Sequence, residues 1–172
     1  MKLETARCQC RLVREVDRQM LQALYADQRT SQFTPVESDI SDEAMCAKIQ
    51  QWRAHWEEHG FGIWIIEKKL DDGEYQAIGV GGVSMRDFDG QQLPNLWYRF
   101  FPDTWGNGFA SEFANACIVW LRQEAKLRAV FALVHPQNLA SLRVVQKLGM
   151  HRDGELQLAQ QKSLRLRLDL SS

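Results

Sequence analysis

Along the chain the apolar residues change spacing repeatedly, from every second position to every third or fourth and back, and those changes mark its elements. Residues 6–14 alternate as a strand does. Asp17 then stands where it can cap a helix in which Met20, Leu21, Leu24 and Tyr25 recur at helical spacing, and Pro35 ends that region in a loop. Ser41 offers an N-cap, and Asp42 and Glu43 an acidic first turn, for a second helix. Its Met45, Ile49, Trp52 and Trp56 lie on one side until His59 and Gly60 stop it. Strand-like runs over 62–68 and 75–85 flank Asp71-Asp72-Gly73, a hairpin signal that makes them antiparallel neighbours. A third run, 96–101, leads through a glycine-bearing turn at 105–108 into a long helix with Phe113, Ala116, Cys117, Trp120 and Leu121 on a helical period. A β-branched and aromatic strand over 128–134, an amphipathic helix over 138–148 closed by Gly149, and alternation over 163–170 complete the order. The pattern predicts an α/β (α+β) fold, a mixed sheet with helices on both faces.

Composition narrows the function classes. The 172 residues suit one domain, taken as 1–172, with a substantial core. With 25% charged and 45% hydrophobic residues and a net charge of −1, the chain is neither disordered nor fibrous nor built for polyanions, so no nucleic-acid partner is expected. Apolar stretches such as 61–66 and 129–134 are too short to span a bilayer, and Met-Lys-Leu-Glu-Thr opens without a secretory apolar region. A cytoplasmic protein without a membrane partner is the expectation. Four cysteines without paired C-x-x-C spacing read as reduced thiols rather than metal ligands, and no metal is expected.

Chemistry concentrates in D-T-W-G-N-G-F-A-S-E, residues 103–112. A helix start leaves several main-chain N–H groups without intrahelical partners, and Gly106 and Gly108 just before it let a ligand approach the backbone. A diphosphate needs such amide donors, the positive end of the helix dipole and no side-chain obstruction. A tight strand-to-helix connection, with glycines serving positive φ alone, fits the same residues. Some thirty residues later comes V-H-P-Q-N-L-A-S-L-R-V-V-Q-K-L-G-M, 134–150, where Asn138 caps a helix and Ser141 falls in its first turn. Polar groups there can meet a ligand lying at the strand's C-terminal end. Ordinary capping also accounts for Asn138.

In this order and separation, the two segments resemble the GNAT superfamily of acetyl-CoA-dependent N-acetyltransferases, especially its ribosomal-protein N-terminal (Rim-type) branch. T-A-R-C-Q-C-R-L-V-R-E-V-D, H-G-F-G-I-W-I-I-E-K and A-I-G-V-G-G-V look like that branch's first three strands, so the resemblance covers nearly the whole chain. It implies a mostly antiparallel central sheet of about seven strands, acetyl-CoA as co-substrate, and transfer of the acetyl group directly to a primary amine. It further implies that Thr104, Trp105, Gly106, Asn107, Gly108, Phe109 and Ala110 form the pyrophosphate loop and helix start. The backbone of Phe100 and Phe101 would pair with the pantetheine arm, Asn138 would contact the cofactor, and Ser141 would lie near the thioester sulfur. Two positions depart from the pattern. Asp103 replaces the Gln or Arg often found there, and Asn95 stands where many relatives carry Glu, so it cannot be a carboxylate base.

Amide formation requires an amine that has lost its proton, a stabilised oxyanion and a proton for the departing thiolate. Ser141 is assigned the thiolate, and a main-chain N–H on the 96–101 strand the oxyanion. Glu155 leads the candidates for the base, ahead of Asp87, Glu37 or water, and proximity worth roughly 7 to 11 kcal/mol makes a dedicated base dispensable. Trp52, Trp56, Trp64 and Trp120 sit at core spacings, whereas Trp97 and Trp105 flank the site. Trp97 and Tyr98 point to opposite sheet faces, and only one can serve the acceptor side. His135 reads as structural or exposed, and Arg143 and Lys147 as a solvated helix face or a 3′-phosphate contact. Glu37, Asp39, Asp42 and Glu43 form an acidic stretch that suits a cationic amine or a helix start equally. The acceptor is then a protein N-terminus or a small-molecule amine, and the protein a monomer or homodimer. The alternative is a non-catalytic CoA-binding or sensing module; a nucleotide-binding domain is disfavoured because G-x-x-x-x-G-K-[ST] is missing.

Overall fold

The computed structural model describes residues 3–34, 40–158 and 161–170. Its strands are β1 (Leu3–Glu4), β2 (Cys8–Leu12), β3 (Ile63–Lys69), β4 (Tyr75–Phe88), β5 (Gln91–Phe100), β6 (Ala129–Val134), β7 (His151–Leu158) and β8 (Gln161–Asp169). They form one sheet in the order β1-β2-β3-β4-β5-β6-β8-β7, antiparallel throughout except between β5 and β6. The helices are α1 (Arg18–Ala26), α2 (Gln28–Ser31), α3 (Asp42–His59), α4 (Phe109–Glu124) and α5 (Leu139–Lys147). The mixed, mostly antiparallel sheet agrees with expectation, with eight strands where about seven were expected. Periodicity did not mark β1, which is only two residues long, or β7, whose register shifts between Arg152 and Gly154.

Alternation along the strands separates two apolar layers. On β5, Leu96, Tyr98 and Phe100 pack with Phe113 and Cys117 of α4 and with Val144 and Val145 of α5. Trp97 and Phe101 face the other way, onto Leu21, Leu24 and Tyr25 of α1 and Met45, Ile49 and Trp52 of α3. Asn95 and Arg99 share that second parity and are buried. The four core-spaced tryptophans are buried as their spacing predicts, and Trp56, Trp64 and Trp120 pack edge to face with centroids 4.9 to 5.8 Å apart.

Local caps explain where most helices start and stop. Ser41 Oγ accepts from the Ala44 N–H at 3.2 Å, and Gly60 ends α3 at φ 71°. Asp17 does not cap α1. Its carboxylate is taken by Arg11, at 2.6 and 2.8 Å, and by the Arg14 N–H at 2.7 Å, while Arg11 also holds Glu67 at 2.7 Å. His55 pins α3 to the sheet: Nδ1 donates to the Phe61 carbonyl at 2.9 Å and Nε2 accepts from the Met85 N–H at 3.0 Å. That tautomer follows from its neighbours, because a carbonyl only accepts and an amide N–H only donates. Burial holds the imidazole below its ordinary pKa. The four cysteines are free thiols, and burial raises the pKa of Cys8, Cys10 and Cys117. Among the described residues no helix is long and apolar enough to cross a membrane.

Candidate active site

A gap between β5 and β6 sets the geometry. The register between them records one bridge, Asn95 with Phe131, whereas β4 pairs with β5 along its whole length. In an antiparallel ladder the main-chain groups of successive residues point to opposite sides. The Phe101 N–H bonds the Ile78 carbonyl at 2.9 Å, so Phe101, Arg99 and Trp97 turn toward β4. The main-chain groups of Leu96, Tyr98 and Phe100 therefore face the gap. This corrects the expectation for Phe101, whose carbonyl is also occupied, accepting from Thr104 N at 2.9 Å and Thr104 Oγ1 at 2.7 Å. Phe100 keeps its N–H toward the gap, while its carbonyl accepts from Trp105 Nε1 at 3.0 Å.

The gap leads to the glycine loop. A 3₁₀ turn at Pro102–Thr104 precedes Gly106 at φ 75° and Gly108 at φ 80°, and α4 begins at Phe109 without a side-chain cap. Asn107 folds its side chain back, Nδ2 donating to the carbonyls of Thr104 at 3.2 Å and Trp105 at 3.0 Å. A methyl group built on Gly106 would meet nothing within 4 Å. The glycine is therefore required by its left-handed backbone, and the space above it is open. Phe109 and Ala110, in the first turn of α4, leave N–H groups without intrahelical partners beside that space.

Arg7, in the turn before β2, grips this loop. Its Nη1 donates to the Asn107 carbonyl at 3.0 Å, its guanidinium lies 4.3 Å over the Phe109 ring, and it pairs with Glu112 at 2.7 Å. Thr5 Oγ1 adds a 2.6 Å bond to the same carboxylate. Burial alone would raise the Glu112 pKa, yet the bonds from Thr5 and Arg7 hold it below the usual carboxylate range. The acidic side chain in the first turn is thereby neutralised by Arg7, and the open amides keep the positive end of the helix dipole. An anionic diphosphate fits this arrangement. Nothing local in the sequence flagged Arg7, which lies 105 residues from Glu112.

Asn138 Oδ1 accepts from the Ser141 N–H at 3.1 Å, so the asparagine does cap α5, and Gly149 closes that helix at φ 76°. Ser141 lies beside Tyr98, a residue assigned no role from the sequence. Burial raises the Tyr98 phenol, an effect that the Ser141 hydroxyl counters, while the phenol oxygen has no well-aligned partner. The hydroxyls are thus neighbours on the α4–α5 side of the gap, available to a third atom. Alternation did place Tyr98 opposite Trp97, but only the fold brings α5 over it.

Of the carboxylates expected as bases, Glu155 and Asp87 are not gathered here. Glu155 sits on β7, three strands from β5, where Lys162 and Arg152 engage its carboxylate and lower its pKa. Asp87 closes the β4–β5 hairpin by accepting from the Gly90 N–H at 2.8 Å, and Glu37 and Asp39 lie outside the described residues. Asn95 is buried at the bridge, and its Oδ1 has no partner. His135 stacks on Phe33 at 5.4 Å, Arg143 and Lys147 are exposed, and Trp105 is 49% exposed at the loop.

Comparison with known proteins agrees with this architecture. The family model for the acetyltransferase (GNAT) domain matches residues 7–151. The Bacillus subtilis protein YkkB is 33% identical over 115 residues, which cover 66% of this chain and 65% of YkkB, just under two thirds of its length. The uncharacterized N-acetyltransferase YoaA of the same organism is 25% identical over 90% of this chain and 85% of its own. Among solved structures, a Bordetella pertussis protein assigned to the GNAT acetyltransferases superposes with a TM-score of 0.84 at 19% identity, covering 97% of this chain and 98% of that one. Spermidine N-acetyltransferase from Vibrio cholerae, solved with CoA and spermine, gives 0.76 at 13% identity and 96% of each chain. Ribosomal-protein-S5-alanine acetyltransferase from Vibrio fischeri gives 0.73 at 17%, over 100% and 98%. The chain belongs to the GNAT acetyltransferase family.

Proposed function

We propose that residues 1–172 act as one domain that moves an acetyl group from acetyl-CoA to a primary amine, a protein N-terminus or a small-molecule amine, by direct transfer. The observation that carries this reading is the parting of β5 from β6 beyond Asn95, between the amide-rich loop at 104–109 and the Tyr98–Ser141 hydroxyl pair. Bound in the gap, acetyl-CoA supplies a thioester carbonyl that an amine can attack. The chain's own groups then have definite tasks. The loop amides and Arg7 hold the diphosphate, and main-chain N–H groups of Tyr98 and Phe100 hold the donor arm or the developing oxyanion. Tyr98 or Ser141 delivers the proton to sulfur, and a phenol is the stronger acid of the two. We assign no base to Glu155, since its carboxylate is engaged elsewhere and its lowered pKa makes it a weak proton acceptor. An amine arriving neutral, or a water in the gap, completes the reaction.

The unrelated acceptors of the spermidine and ribosomal-protein enzymes leave the Rim-type assignment resting on motif resemblance, and we retain it on that ground. Steady-state kinetics test the chemistry: Tyr98→Phe and Ser141→Ala should each lower kcat by roughly a hundredfold or more with little change in the KM for acetyl-CoA. Unchanged kcat in both variants would remove the hydroxyl pair from the reaction and favour a CoA-binding module.

A further inference from the structure

We propose, building on the amine-transfer reading above, that the acceptor is a primary amine bearing a carboxylate several bonds away, and that Arg99 holds this carboxylate. Arg99 is 8% exposed on the α1–α3 face of β5, its guanidinium 3.9 Å over the Tyr25 ring. Its Nη2 reaches Thr34 Oγ1 only at 3.5 Å, its Nη1 is buried with no hydrogen-bond partner, and no ion pair to it occurs among the described residues. A guanidinium buried without an anion is costly, and its planar fork matches a carboxylate.

Four residues earlier on the same face, at the bridge where the gap begins, Asn95 Oδ1 is buried without a partner. That atom can only accept, and it suits the N–H of an amine. Between the two lies Trp97, its Nε1 bonded to Ser84 Oγ at 3.2 Å and its ring 5.8 Å from that of Trp52. A lone acceptor at one end, lone donors at the other and an aromatic floor between them complement a molecule with an amine at one end and a carboxylate at the other. Four strand residues span about 13 Å, and the reach of the arginine shortens this to the length of a peptide of roughly two to four residues. A polyamine would set a second cation against Arg99. The acidic start of α3 does not argue otherwise, because Asp42 is exposed and paired with Arg18 at 3.2 Å.

The test is a series of glycine oligomers of one to four residues, each as free acid and as C-terminal amide, with 1,4-diaminobutane as the cationic control. Thiol release and product mass give kcat and KM for each. The best free acid should exceed its own amide by roughly ten- to a hundredfold in kcat/KM, mostly through KM. Arg99→Gln should erase that gap while the amide is still acetylated. Arg99→Met, which keeps side-chain bulk against Tyr25, serves if the glutamine variant does not fold, and Arg99→Lys should restore part of the preference. Equal rates for acids and amides in the parent protein, a preference for the diamine, or a gap that survives Arg99→Met would overturn the proposal and leave Arg99 as an internal counter-charge. If no amine releases thiol although acetyl-CoA binds, the amine-transfer reading fails instead. Calorimetry of triglycine against its amide would then decide the role of Arg99 alone.

Discussion

Around residues 104–109 the polar side chains are spent on holding the backbone: Asn107 bonds two carbonyls, Arg7 and Thr5 bind Glu112, and Thr104 and Trp105 tie the 3₁₀ turn to the end of β5. On the α1–α3 face of β5, by contrast, Asn95 Oδ1 and Arg99 Nη1 are buried without partners. Buried polar atoms are nearly always satisfied, and exceptions need a reason. The difference teaches how the two substrates are treated. On the proposed reading the donor is the same in every turnover, so its seat can be built in advance from main-chain amides, whereas the acceptor side leaves specific atoms to be completed by the molecule the chain selects.

The strongest way to break the donor half is Gly108→Val. A β-branched residue at φ 80° carries strain of about 1–3 kcal/mol, which a domain of this size survives, but the loop cannot keep its shape. CoA binding by calorimetry should vanish while circular dichroism stays native, and unchanged affinity would sink the diphosphate assignment. Arg7→Ala comes next. Losing the half-exposed pair to Glu112 should cost about 1 kcal/mol of stability and weaken CoA binding roughly tenfold, and Glu112→Gln in the same background should recover part of that affinity.

Smaller effects concern groups outside the donor seat. Because burial lowers the His55 pKa, the unfolded chain binds that proton more readily than the folded one. The stabilisation from His55 is complete above about pH 6.5 and is lost as pH falls through its folded value. Urea titrations across pH should show this slope, and His55→Gln should flatten it; an identical slope in the variant would show that other groups are responsible. Glu155→Gln should do least, leaving the pH–rate profile unchanged because its carboxylate is paired on the outer strand. A flattened alkaline-going rise would restore it as the base.

What the sequence disclosed follows from the range over which each signal acts. Gly106, Gly108, Asn138, Ser41 and Gly149 declare themselves through neighbours within a turn, and the caps and positive-φ positions fell where their residue types suggested. Asp17 misled for the same reason: it resembles a cap locally, but a buried carboxylate beside an arginine prefers the arginine. Phe101 misled because pairing direction depends on ladder phase, which the Ile78 bond fixes and the residue types do not. The contacts of Arg7 with Glu112, Tyr98 with Ser141 and Arg99 with Tyr25 join residues far apart in sequence. They exist only once the sheet is assembled, and no periodicity announces them.

One measurement addresses the central claim most directly: acetyl-CoA is mixed with the protein and a panel of primary amines, and free thiol and acetylated amine are quantified together. Transfer through the gap between β5 and β6 predicts thiol and acetyl-amine appearing in equal amounts with at least one acceptor, and neither appearing with Gly108→Val. Tight CoA binding without thiol release across the whole panel would contradict it.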